Sequence, residues 1–158
     1  MAAERDIAPV MYGPPESDFN PIACVEKRRI VVAAAVITDG QRILAMQRGY
    51  GKWKGWWEFP GGKVEQGETP EVALCREIGE EMDAEIVVDR FLETIVYEYE
   101  EFLMTMHLFV CHLKEGGFTM KEHMDARWLG QDELMSVEWL PADIELMGRM
   151  RIADLMQK

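Results

Sequence analysis

Cysteine is scarce in this chain: Cys24, Cys75 and Cys111 are an odd number and show neither CxxC nor Cys/His ligand spacing. Neither a disulfide framework nor a structural zinc site is suggested, and a reducing cytoplasm is the simplest compartment. Cys75 and Cys111 lie in apolar-patterned segments and are expected to be buried small hydrophobes. Basic residues are few, with 17 Lys and Arg against 29 Asp and Glu, a net charge of −12. That sign disfavours duplex nucleic acid as a partner. Long apolar runs are also missing, since the longest, around Ile30 to Ile37, falls far short of the roughly 20 residues of a membrane span. No charged-then-apolar leader opens the chain, so an unprocessed, soluble protein without a membrane partner is expected. There is no internal repeat and no low-complexity tract.

What remains is one domain's worth of core, as 158 residues with 48% hydrophobic content imply. Residues 1–28 hold four prolines (Pro9, Pro14, Pro15, Pro21) and read as a partly disordered N-terminal arm ahead of a domain over 29–158. The β-branched run Ile30 to Ile37, the turn signal Asp39-Gly40 and the segment Arg42 to Met46 predict a hairpin. A Gly- and Trp-rich loop leads to Glu58-Phe59-Pro60-Gly61-Gly62. Thr69-Pro70 marks a helix start running to Met82, with Thr as N-cap. Strands are expected over Glu85 to Val88, Phe91 to Tyr99 and Phe102 to Leu113, a short helix over Gln131 to Met135, and a final helix from Pro141 through Met156.

Charge is concentrated between Glu58 and Glu85, where nine acids face only Lys63 and Arg76, a net of −7. Helical spacing puts Leu74, Cys75, Ile78 and Met82 on one side, and Glu77, Glu80 and Glu81 together on another. Like charges at i and i+4 weaken a helix by a few tenths of a kcal/mol. Three such acids therefore call for a cation, or else form a solvated face. A hard divalent ion suits them, because Mg²⁺ takes carboxylate oxygens while keeping sites for a substrate phosphate.

From Gly62 the chain has five residues, Glu68, seven residues, then Arg76-Glu77-Ile78-Gly79-Glu80-Glu81. This resembles the Nudix hydrolase signature, G-x5-E-x7-R-E-U-x-E-E-x-G-U, in every position through Glu81. It departs at Asp83, where the family has Gly, and at Ala84, a small aliphatic. The Gly position looks like a left-handed helix cap, which Asp tolerates better than most residues. The lead-in Trp56 to Glu65, the Met46-Gln47-Arg48 segment, Glu122-His123 before Trp128-Leu129, and Leu140-Pro141-Ala142-Asp143 are similar to the MutT-like branch, which hydrolyses nucleoside triphosphates.

The resemblance implies a Nudix fold, an α/β/α sandwich with a mixed curved sheet and the Nudix loop and helix. It implies that Glu77, Glu80 and Glu81, with the Gly61 carbonyl, bind Mg²⁺, Mn²⁺ being the alternative, while Glu68 and Arg76 orient the loop and the carboxylates. Attack at the β-phosphorus would give a nucleoside monophosphate and pyrophosphate. Glu122 stands where relatives carry an acid that binds metal or acts as general base; otherwise it is an ordinary loop carboxylate. His123 reads as a surface residue. Arg48 and Lys63 are candidates for phosphate contacts, with a solvated lysine the alternative for Lys63. Asp143 either reads a base edge or simply favours the first turn of its helix. Trp139, Trp53 and Phe102 are expected in the core, with stacking on a base the alternative.

The leading function is therefore a Mg²⁺-dependent diphosphatase of damaged nucleotides such as 8-oxo-dGTP, and the nearest rival is a cytidine triphosphate pyrophosphohydrolase. A noncatalytic nucleotide-binding regulatory module would be expected to have lost box acids, which are all present. An acidic docking domain for a basic partner would not explain the Gly-Gly-Lys loop. The family is often homodimeric, though no interface is legible.

Overall fold

The computed structural model describes residues 27–156; the expected N-terminal arm and Cys24 lie outside the described residues. Strand β1 (Arg28–Ile37) is followed by β2 (Arg42–Arg48), the short β3 (Trp57–Glu58) and β4 (Gly61–Lys63), and helix α1 (Pro70–Met82). Then come β5 (Ile86–Glu98), β6 (Phe102–Leu113), β7 (His123–Gly130), a 3-10 turn at Gln131–Glu133, and helices α2 (Pro141–Met147) and α3 (Ile152–Leu155).

The strands form two sheets, ordered β4-β1-β6-β5 and β3-β2-β7, with β1 parallel to β6 and the other pairings antiparallel. The β1 run is apolar at every position from Ala33 because both faces are covered. Ala33, Ala35 and Ile37 pack with Leu44, Met46 and the α1 residues Leu74, Ile78 and Met82. Ala34 and Val36 instead join Ile43, Ala45 and the α2 and α3 residues Ala142, Leu146, Ile152 and Leu155. Helices thus lie on opposite faces of a mixed sheet, the layered α/β arrangement that was expected.

Helix α1 forms as its sequence dictates. Thr69 caps it by accepting from the Val72 N–H at 3.2 Å, and Asp83 closes it in the left-handed region at φ 49°, its N–H donating to the Gly79 carbonyl. The Asp departure from the signature therefore keeps the cap's function.

Five local expectations are corrected. The Asp39 turn forms, its carboxylate accepting from the Gln41 and Arg42 N–H groups, but beyond a Thr38–Ile43 bridge the two strands diverge into different sheets instead of pairing as a hairpin. Glu85 to Val88 and Phe91 to Tyr99 merge into one strand, β5, whose two register shifts against β6 absorb the irregular stretch between them. The helix expected over Gln131 to Met135 is one 3-10 turn. The final helix breaks after Met147, and Gln131 pins the break, donating to the Met150 carbonyl and accepting from the Ile152 N–H. Cys75 is exposed, because the buried stripe of α1 runs through Ala73, Leu74, Ile78 and Met82; Cys111 is buried as expected. Among the described residues no helix is long and apolar enough to cross a membrane.

Candidate active site

A cavity of about 560 Å³ opens where β1, β2, β3, β4, α1 and the start of β7 meet. Its floor depends on two close approaches. A Cβ on Gly61 would fall on the Ala33 carbonyl and 2.8 Å from the Ala34 Cα, so β4 can lie against β1 here only as glycine. A Cβ on Gly62 would fall on the Glu77 carboxylate. The glycine pair therefore lets the helix carboxylate reach the strand.

Arg76 organises the acids on the outer side of α1. Its guanidinium grips Glu68 through two bonds of 2.6 and 2.9 Å, and also donates to Glu77 at 2.7 Å, to Glu80 at 3.3 Å and to the Lys63 carbonyl. Glu68 in turn accepts from the Glu65 N–H. The Arg76 bonds, with that N–H, hold the Glu68 carboxyl down at about 2, well below the usual carboxylate range. Glu68 and Arg76 are thus bonded to each other, and neither lines the cavity.

Of the box acids, Glu77 and Glu81 line the cavity, together with Glu58, Glu122, Lys63 and Arg48. Glu80 does not: it is exposed and paired with Arg76. Among the described residues no three acids, His or Cys already enclose a point as a metal would require. The strain among them is nonetheless plain. Burial, then the adjoining Glu77, then Glu122 and Glu58 push the Glu81 carboxyl up to about 8. Carboxylates packed this way are short of positive charge, and with Gly61 lining the same cavity they offer oxygen donors alone, which suits a hard divalent cation.

Asp143 is 4% exposed and also lines the cavity. Burial and the Glu58 charge raise its pKa well above the ordinary value, against the opposing pull of the Phe59 N–H and Arg48. Its two oxygens face the cavity's inner end as hydrogen-bonding groups held out of water. Near it Tyr99 accepts from the Ala142 N–H at 3.2 Å, and Trp53 meets Tyr99 edge-on at 5.9 Å. Trp53 and Phe102 line the cavity, so they are not simply core residues; Trp139 is core, packed on Phe59 and donating its indole N–H to the Leu134 carbonyl.

The chain matches the model of the NUDIX domain over residues 27–150. The chain belongs to the Nudix family. It is 34% identical over 119 residues to the CTP pyrophosphohydrolase of Escherichia coli, covering 74% of this chain and 87% of that protein. It is 30% identical over 128 residues to the 8-oxo-dGTP diphosphatase of Haemophilus influenzae, covering 80% and 94% respectively. The solution structure of the E. coli ORF135 protein superposes with a TM-score of 0.66 at 31% identity, covering 86% of this chain and 91% of that one. The MutT protein from Methanosarcina mazei shares the fold, with a TM-score of 0.71 at 23% identity and coverage of 85% and 99%. This protein is accordingly a Nudix hydrolase.

Glu58, His123, Tyr50 and Tyr99 are among the residues of the Nudix cavity that escaped sequence reasoning. Glu58, read only as part of the lead-in motif, sits between Arg48 and His123, and His123, expected at the surface, has a side chain only 6% exposed. The signal for Glu58 was available: in the tight strand Trp57–Glu58 with Trp57 buried, alternation turns Glu58 to the opposite side. Nothing in the local sequence announces the burial of His123.

Proposed function

We propose that this Nudix hydrolase cleaves nucleoside triphosphates to a nucleoside monophosphate and pyrophosphate, with Mg²⁺ and, alternatively, Mn²⁺ as its cofactor. Its preferred class is an oxidised purine nucleotide such as 8-oxo-dGTP, a role in cleansing the nucleotide pool. The observation that carries this reading is a single cavity holding both a cluster of oxygen donors (Glu77, Glu81, Glu122, Gly61) and an aromatic wall with a buried acid (Trp53, Tyr99, Phe102, Asp143). Its volume suits a nucleotide. The naming of relatives as an 8-oxo-dGTP diphosphatase and a CTP pyrophosphohydrolase supports the substrate class. The second of these keeps (d)CTP as the alternative substrate.

Gly61, Glu77 and Glu81, which line the cavity, would hold the ion with Glu122 completing the set, and Glu80 would join them only on release from Arg76. When bound, a divalent cation neutralises phosphate oxygens and lowers the pKa of water at the site. The chain's own contribution is positioning, which dominates phosphoryl transfer. Arg76 restrains Glu77 and the Glu68 loop, Arg48 and Lys63 offer positive charge to the polyphosphate, and Glu122 is the candidate base.

A pH dependence follows from Glu81. Its folded pKa of about 8 lies above its ordinary 4.5, so the native state holds the extra proton in that interval. Its stabilising contribution is complete below the lower value and lost as pH rises through the upper one. Metal binding needs the deprotonated carboxylate. The rise in melting temperature on adding Mg²⁺ is therefore expected to be larger at about pH 8.5 than at about pH 6. Thermal melts with Mg²⁺ and with EDTA check it, and a shift independent of pH would contradict this account of the acid cluster.

Base selection is assigned to Asp143. A panel of canonical and oxidised triphosphates, followed by pyrophosphate release, should rank one base class above the others by kcat/KM. Asp143→Asn replaces one carboxyl oxygen by an amide donor of the same shape, and the ranking is expected to shrink by about tenfold or more. An unchanged ranking would remove Asp143 from base recognition, and no turnover of any triphosphate would sink the proposed reaction.

A further inference from the structure

Arg48, Glu58 and His123 come from three neighbouring strands, β2, β3 and β7, and all three line the cavity. Arg48 donates Nη1–H to Glu58 Oε1 at 3.0 Å, and His123 Nε2 lies 3.0 Å from Glu58 Oε2. A carboxylate only accepts, so Nε2 carries the hydrogen. Both oxygens of Glu58 are therefore used, one by each partner. Tyr50 covers the guanidinium face of Arg48 at 5.4 Å.

The backbone takes trouble to build this arrangement. Along β2 and β7 the pairs run Met46 with Ala126 and Gln47 with Asp125, but the register then slips and Arg48 faces His123. Met124 is the residue passed over, and it is 51% exposed. Such a bulge redirects the side chains beside it, and here it carries His123 inward, next to Arg48. A Cβ on Gly49 would fall on the Glu122 carbonyl, so glycine is also what allows the end of β2 to approach the start of β7.

What the arrangement leaves over points to a ligand. Arg48 Nε and His123 Nδ1 are buried and have no hydrogen-bond partner. A buried guanidinium N–H without an acceptor is costly, and Arg48 lines the cavity with Nη1 bonded to Glu58, which leaves the rest of its fork and its charge to meet a polyanion there. The acids around it (Glu58, Glu77, Glu81, Glu122) would otherwise repel such an anion, so the placement of this cation matters more than its mere presence.

We infer that Glu58 and His123 are positioning residues: His123 fixes one oxygen of Glu58 so that the other holds the Arg48 guanidinium in place for the substrate's polyphosphate. The inference rests on the proposed reading of the site as one for a nucleoside polyphosphate. His123 acts only through Glu58 and Arg48 and takes no part in bond cleavage. Its removal should weaken anion binding without slowing the chemical step to match.

The test is a double-mutant cycle read in two ways, by steady-state kinetics on the best triphosphate and by calorimetric titration with magnesium pyrophosphate. His123→Ala is expected to raise KM and weaken pyrophosphate binding about tenfold, the scale of one charge-assisted bond, with kcat within about threefold. His123→Gln, whose amide reproduces the Nε2 donor, should recover most of the loss. In an Arg48→Lys background, which keeps charge but loses the fork, His123→Ala should cost little more. An equal loss from His123→Ala in both backgrounds, a fall in kcat in place of a rise in KM, or no effect on pyrophosphate binding would each overturn the inference. Should His123→Ala fail to fold, His123→Gln and Glu58→Gln carry the same cycle, with Glu58→Gln expected to weaken pyrophosphate binding and His123→Gln to retain it. A wild type that binds pyrophosphate through this cycle but turns over no triphosphate would defeat the reaction proposed above and leave the positioning role intact.

Discussion

Glu81→Gln is expected to lower turnover by about a thousandfold or more while leaving the fold intact. The residue stands on α1 with its side chain in the cavity, and its carboxylate is already the most strained of the cluster, raised to about 8 by burial and by Glu77, Glu122 and Glu58. An amide keeps the shape and removes the charge that a divalent ion needs. It also removes the repulsion, so the metal-free variant should melt at or above the wild-type temperature. The two readouts move in opposite directions, which separates loss of a ligand from loss of structure. Full activity with unchanged metal dependence would contradict the site.

Gly61→Ala is the substitution expected to cost most in stability, about 2–4 kcal/mol by chemical denaturation. The added methyl would meet the Ala33 carbonyl and the Ala34 Cα. Those atoms belong to backbone that cannot easily yield, because β1 is paired on one side with β4 and on the other with β6. Relief requires β4 to move away, and with it the Gly61 carbonyl and the entry to the Glu77 side of the cavity. Activity should fall with stability. Gly67→Ala offers the contrast: nothing lies within 4 Å of its Cβ, and its only penalty is a φ of +87°. A Gly61→Ala protein as stable as the wild type would show that the strand does not sit where it is described.

The parts of this molecule that were legible in its sequence are those whose causes are local. Thr69, Pro70 and Asp83 carry their own capping chemistry, and α1 begins and ends where they stand. The box spacing from Gly62 to Glu81 puts Glu77 and Glu81 close together, because one loop and one helix hold them both, and both line the cavity. Where partners are distant in the chain, local reading stopped short. The Asp39 turn looks like a hairpin, yet β1 finds β4 and β6, and β2 finds β3 and β7. Strand β7 is not legible locally, since its mixed Met124, Asp125 and Arg127 show no apolar alternation and its pairing with β2 is what makes it a strand. Glu80 shares the helical face of Glu77 and Glu81 by spacing, but Arg76 draws it outward. The burial of His123 depends on a bulge, which only the pairing of two strands creates.

The most direct test of the central claim is hydrolysis of the preferred triphosphate in ¹⁸O-labelled water with Mg²⁺, the products being weighed by mass spectrometry. Attack at the β-phosphorus predicts unlabelled nucleoside monophosphate and singly labelled pyrophosphate, with both absent when EDTA replaces Mg²⁺. Label in the monophosphate, release of nucleoside diphosphate and inorganic phosphate, or turnover that survives EDTA would contradict it.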